Sequence, residues 1–316
     1  MNLNSVKVYV AMLFAMVFWG FSFIWTKQVL DVYQPFTIIF ARLVIASSFM
    51  ALLNIWLKRI KPLKKTDFVN ILILSFFEPF LYFLGENYGL VYVSSTVAAV
   101  LIALIPLFSP IAAAIFYKQK IALLNIVGIL ISIFGVVLVI FTPQFNLKAD
   151  PIGVMLIILA VFSAVAYSLM IMRISTEVSV VTIIFYQNFF GIFWFLPFFL
   201  IFELNNFIET GFVLKPFLNI IQLAIFASSV AFLLFTFGLR KLGITAANLW
   251  GNLIPVFTAF FAWVLLNEKL SWMNVFGIFI VIVGLLFSQT NQKILAIAKQ
   301  YVFKPSSNKD NIDNLT

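Results

Sequence analysis

Ten stretches of about twenty residues, nearly free of charge, follow one another along the chain: roughly 8–28, 35–57, 68–90, 94–116, 122–141, 151–172, 179–202, 214–237, 245–266 and 272–290. A helix of about twenty apolar residues spans the hydrocarbon core of a bilayer. The runs are apolar throughout and do not alternate, which excludes strands. In lipid the backbone must satisfy its own hydrogen bonds, and a helix does so. The connections are short and carry turn residues: Pro35, Lys61-Pro62, Asp150-Pro151 and Lys215-Pro216. The pattern predicts an all-α integral membrane protein. With 64% hydrophobic and 10% charged residues among 316, too few polar side chains exist to cover a surface in water; a soluble domain has about a quarter charged residues.

The first run has one nearby lysine and no small-residue cleavage site, so it is expected to remain in the protein rather than act as a signal peptide. Residues 291–316 are polar and are expected to form a frayed cytoplasmic tail. The formal net charge is +9, but the basic residues lie between the apolar runs. They read as a topology signal and not as a nucleic-acid surface. With the N-terminus in the cytoplasm, 15 Lys and Arg fall in inner segments and 4 in outer ones, while Arg42 lies within the second run. The positive-inside rule then places both termini in the cytoplasm of a multi-pass cell-membrane protein. It also requires an even number of crossings, hence ten.

An internal repeat organises those ten. Residues 89–135 align without a gap onto 238–284, at an offset of 149, with 16 of 47 positions identical. Pro106 pairs with Pro255, Gly128 with Gly277 and Gly135 with Gly284. Thr-Ile-Ile-Phe occurs at 37–40 and again at 182–185, an offset of 145, so the second copy has about four extra residues between its second and third helices. The expected units are 1–141 and 142–290. Five crossings per unit is odd, so the second enters the membrane inverted. Inverted repeats are typical of secondary transporters, whose site lies between the halves near mid-membrane.

These residues resemble the drug/metabolite transporter superfamily, in particular its EamA-type ten-helix members. The resemblance runs from residue 8 to 290. It is carried by Trp19-Gly20-Phe21-Ser22 with Lys27, by Phe40-Ala41-Arg42-Leu43, and by Asn87-Tyr88-Gly89-Leu90 followed by Ser94-Ser95-Thr96. Leu104-Ile105-Pro106 follows, echoed by Phe237-Gly238-Leu239, Ile254-Pro255-Val256 and Asn267-Glu268-Lys269. It implies a transporter of small organic solutes, often an exporter of amino acids or other metabolites, with helices 5 and 10 at the periphery. In this family the loop after the fourth helix of each half often carries glutamate. Here the second half has Glu268, but the first has Gln119.

A charge inside lipid costs roughly 3 kcal/mol or more and marks a functional candidate. Glu78 lies near the middle of helix 3, with Tyr82 and Glu86 on the same face at helical spacing. Gly85 and Gly89 are expected to leave room beside it. Pro79 is expected to free the Ser75 carbonyl from the helical ladder. Glu78 is read as a group that binds a proton or an ammonium, or else as a fixed partner of Arg42. Asn248 and Asn252 stand one turn apart in helix 9, where the first half has Ala99 and Ala103. Paired amides there suit a substrate carboxylate or amine, or an interhelical hydrogen bond. Gln187 aligns with Arg42 and is expected to face the same cavity, and Trp19 suits either the path or the aromatic belt. Pro106, Pro255, Gly128 and Gly277 are expected to be structural. The small residues of helices 5 and 10 suit close packing within one chain or in a homodimer.

No Gly-rich phosphate loop occurs, so ATP-driven transport by this chain alone is not expected. Without histidine or cysteine there are no zinc or thiol chemistries. No cofactor and no enzymatic reaction are expected. The expected partners are the lipid bilayer and a small-molecule substrate. A passive membrane scaffold and a lipid-intermediate flippase are the alternatives.

Overall fold

A computed structural model describes residues 3–58, 63–117, 123–140, 149–242, 247 and 250–289. Gln119, Thr245, Asn248 and the tail at 291–316 lie outside them. Seven described helices are long and apolar enough to cross a bilayer: α1 (Leu3–Leu30), α2 (Pro35–Trp56), α3 (Lys65–Tyr92), α4 (Ser95–Phe116), α6 (Pro151–Ile171), α7 (Val180–Thr210) and α8 (Leu214–Leu242). Three shorter apolar helices complete ten: α5 (Leu123–Ile140), α9 (Gly251–Leu265) and α10 (Trp272–Gln289).

The helix starts follow from local chemistry. Ser94, Asp150 and Ser179 accept hydrogen bonds from Val97, Ile152 and Thr182 backbone N–H groups at 3.3, 2.8 and 3.1 Å, the usual N-cap role of such side chains. Pro35 and Pro151 occupy first helical positions, where no N–H is missed.

The interruptions of the helices obey the repeat. α3 is π-helical over Phe76–Leu81, and α8 over Leu223–Ala231, the same region at an offset of 149. α4 parts after Ile102 and resumes at Ile105, just before Pro106. The matching place in α9 is a 3-10 turn, Gly251–Leu253, just before Pro255. α7 is longer than α2 and has a further π segment, Phe199–Glu203, which accommodates its extra residues.

Helices α5 and α10 pack chiefly on each other. A Cβ on Gly135 would meet the Gly277 carbonyl at 2.8 Å, and one on Gly284 the Gly128 carbonyl at 2.7 Å. Residue numbers therefore rise along one helix as they fall along the other, so the two are antiparallel. Equivalent helices of the two repeats run in opposite directions, as inversion requires. The glycines are used within the chain.

Helices α2 and α7 are tied at both ends. At one end the buried Glu203 carboxylate of α7 accepts from the first turn of α2: Phe36 N–H at 3.0 Å, Thr37 N–H at 2.6 Å and the Thr37 hydroxyl at 2.9 Å. At the other end Asn54 of α2 meets the first turn of α7. It accepts from the Thr182 hydroxyl at 3.1 Å and donates to the Val181 carbonyl at 3.1 Å. Thr37 and Thr182 are repeat partners at an offset of 145.

Further bonds join the halves at each end. On the Glu203 side, Glu268 accepts from Ser95 N–H at 3.0 Å and the Thr96 hydroxyl at 2.7 Å, and Tyr33 donates to the Gly211 carbonyl at 3.0 Å. On the Asn54 side, Asp67 accepts from Ser175 N–H at 2.9 Å, and exposed Lys64 pairs with Glu177 at 3.0 Å. That hydrogen bond raises the Lys64 ammonium above its ordinary pKa.

Candidate functional site

A cavity of about 760 Å³, counting its open mouth, lies between the halves. Among the described residues its charged lining is all from the first half: Arg42 on α2, and Glu78 and Glu86 on α3, with Tyr82 beside them. Trp19, Ser22 and Phe23 of α1 adjoin them. The second half contributes Ala164, Tyr167 and Ser168 of α6, Phe232 and Phe235 of α8, and Gly251 and Ile254 of α9.

Fourteen of the eighteen lining residues among those described fall into seven repeat-related pairs. At an offset of 145 these are Trp19 with Ala164, Ser22 with Tyr167 and Phe23 with Ser168. At an offset of 149 they are Phe83 with Phe232, Glu86 with Phe235, Ile102 with Gly251 and Ile105 with Ile254. The cavity therefore straddles the pseudo-twofold axis. Its two sides differ in chemistry: Glu86 faces a phenylalanine counterpart, and Glu78 and Tyr82 correspond to Ala227 and Ala231.

Glu78 sits at the break in α3, with φ −133° and ψ 110° beside the cis Glu78-Pro79 bond. It is 2% exposed, and its Oε1 has no hydrogen-bond partner. Beside the break the Phe77 carbonyl accepts both from the Tyr82 N–H of the π segment and from the Ser163 hydroxyl at 2.6 Å. Tyr82 donates to Glu86 at 3.1 Å.

Gly85 and Gly89 leave room for α6 rather than for the cavity. A Cβ on Gly85 would lie 2.9 Å from Ala160 N, and one on Gly89 2.7 Å from Ile157 Cγ1.

Arg42 is 2% exposed and does not snorkel to the surface. Its guanidinium lies 4.0 Å from the Phe83 ring centroid, a cation–π distance. Its Nε donates to the Ser228 hydroxyl of α8, while Nη1 has no partner. Neither Glu78 nor Glu86 comes within 4.0 Å of it as an ion pair. The fixed Arg42–Glu78 pair, one of the two expectations for Glu78, is not formed. Trp19 lines the cavity, its ring centroid 4.9 Å from Phe235 and 5.2 Å from Phe232.

Two candidates stand elsewhere. Gln187 is buried with Oε1 unpartnered, but it does not line the cavity; it is shorter than the arginine at the matching place. Asn252 is 4% exposed and neither amide atom has a partner, yet only its neighbour Gly251 reaches the wall. Asn248 is outside the described residues. The sequence reading missed Tyr167, Ser228, Phe232 and Phe235. Serines and aromatics within apolar runs carry no local sign of which face they occupy, although the offset of 149 links Phe235 to Glu86.

Known proteins supply an independent comparison. The model of the EamA-like transporter family matches residues 6–141 and again 151–290. An uncharacterized transporter of Bacillus subtilis, YetK, is 27% identical over 92% of this chain and 89% of its own length. An uncharacterized transporter of Archaeoglobus fulgidus is 28% identical over 88% of this chain and 97% of its own. One solved crystal structure superposes with a TM-score of 0.69 at 14% identity, over 93% of this chain and 98% of that one, a likeness of fold.

Proposed function

The chain belongs to the EamA-like transporter family, and from that premise we propose a secondary transporter that exports small, amino-acid-like metabolites, with Glu78 coupling export to protons. Family and relatives alike are multi-pass membrane transporters and not enzymes. The proposal adds the driving force, the cargo and the direction. The moving units are residues 1–141 and 142–290, in the cell membrane with both termini in the cytoplasm.

One observation carries this reading: the cavity is built from repeat-related positions. When two inverted units exchange conformations, a site on their pseudo-twofold axis meets each side of the membrane in turn. Glu78 suits coupling because it is a buried carboxylate with a free oxygen at a break in its helix. Its charge state then decides the cost of an aqueous or a closed surrounding.

Two measurements test the proposal. The chain has no cysteine, so Tyr82→Cys provides a single thiol on the cavity wall. Reaction with aqueous thiol reagents added from either side is expected; no reaction from either side would sink the transporter reading of this cavity in favour of a packed scaffold. A solute screen in proteoliposomes, with and without a pH gradient, then reads coupling. Glu78→Gln is expected to abolish pH-driven transport, and full retained coupling would refute the role of Glu78.

A further inference from the structure

We propose that Arg42 holds the carboxylate of the transported solute and that Ser228 is the positioning residue that aims it. This rests on the transporter reading of the cavity and adds the anionic group of the solute and the residue that sets its docking.

A guanidinium keeps its charge in any surroundings and offers five N–H donors in a fixed plane. Leaving one edge bare in an apolar interior is costly. In this cavity the cost stands: Nη1 has no partner although two carboxylates line the same space. The side chain is instead held by its other parts. Phe83 lies under the guanidinium face, and Ser228 takes Nε. Ser228 is itself fixed, because its carbonyl accepts from Asn188 of α7 at 3.3 Å, and Asn188 also donates to the Ile184 carbonyl at 2.9 Å. The serine sits in the π segment of α8, in the opposite half of the chain from Arg42.

The open edge fits a carboxylate better than a phosphate. Two carboxylate oxygens match one guanidinium edge, whereas a phosphate brings further oxygens that need donors of their own. Few are on offer. The hydroxyls of Ser22 and Ser168 already donate to the Trp19 and Ala164 carbonyls at 2.7 and 3.0 Å. Glu78 and Glu86 would also repel a dianion. Trp19 and Phe235 then cover an apolar body, and the free Glu78 oxygen suits an ammonium end.

The purified chain in detergent is titrated calorimetrically with leucine, leucinamide and isocaproate, which share one apolar body. The acids are expected to bind about tenfold more tightly than the amide, the scale of one charge-assisted pair. Arg42→Gln removes that preference, so acid and amide bind alike. Ser228→Ala weakens the acids about fivefold and leaves the amide unchanged, and Ser228→Thr restores them. A purely structural Ser228 would weaken all three probes together. Should Arg42→Gln fail to fold, Arg42→Lys, which keeps the charge without the planar edge, is expected to bind the acids with intermediate affinity. The assignment is overturned if the amide binds as tightly as the acids, if the preference survives Arg42→Gln, if Ser228→Ala affects all probes equally, or if neither acid binds. The thiol test at position 82 is independent, so these failures leave the transporter reading standing.

Discussion

Replacing Glu203 should destabilise the chain more than any other single change at the seam of α2 and α7. The carboxylate is 2% exposed and accepts four hydrogen bonds: two from backbone N–H groups, one from the Thr37 hydroxyl, and one from Tyr88 at 3.2 Å. A bond to a charged group contributes roughly 1.5–3 kcal/mol, and a buried donor left bare costs roughly 1–3 kcal/mol. The hydroxyls of Thr37 and Tyr88 can turn to other partners, while the backbone donors cannot. Two stranded N–H groups place Glu203→Ala at about 3–5 kcal/mol. Glu203→Gln keeps one acceptor oxygen but turns an amide toward donors, so about half that loss is expected. Asn54→Ala, at the repeat-related end, breaks neutral bonds only and should cost about 1–2 kcal/mol. The assay is reversible unfolding by SDS titration in mixed micelles. If Asn54→Ala cost as much as Glu203→Ala, or if Glu203→Ala cost less than about 1 kcal/mol, the account of a charged cap on α2 would be wrong.

The glycine crossing gives a second contrast. Gly277→Ala puts a methyl 2.8 Å from a backbone carbonyl and 2.7 Å from Val139 Cγ2. It should cost about 1–3 kcal/mol in the same titration, whereas Gly251→Ala, whose nearest neighbour is Pro106 Cγ at 4.0 Å, should leave the unfolding midpoint within error. At the α3–α4 corner, Lys27 donates to the Leu90 and Val93 carbonyls at 2.6 and 3.1 Å while Glu268 caps the start of α4. Lys27→Met should speed amide hydrogen exchange at residues 90–96, and unchanged exchange would show that the corner needs no such clamp.

Much of this architecture was legible because lipid imposes simple rules. Apolar length located the helices, and an odd count per repeat required inversion. Pro79 announced the break in α3, and helical spacing placed Glu78, Tyr82 and Glu86 on one face. What stayed hidden depends on which helices are neighbours. Ser228 is one polar residue in an apolar run until α8 is seen beside α2. Glu203 looks like a loop charge until α7 is seen to close over Thr37. The repeat held part of that information, since Thr37 and Thr182 correspond, but only the structure says that each is held by a polar side chain at the far end of the other's helix. Gln187 shows the reverse error: equivalence in the repeat did not bring an equivalent reach into the cavity.

The uneven lining of the cavity has a consequence for whatever crosses it. Acids and guanidinium belong to one half, and their counterparts in the other, Ala227, Phe235 and Gln187, carry no charge. Exchanging the shapes of the halves does not exchange their side chains. A passenger anchored on the first half keeps the same end toward the same helices at every stage of the crossing. On the proposed exchange of the halves it has no need to tumble on the way; the protein turns around the passenger.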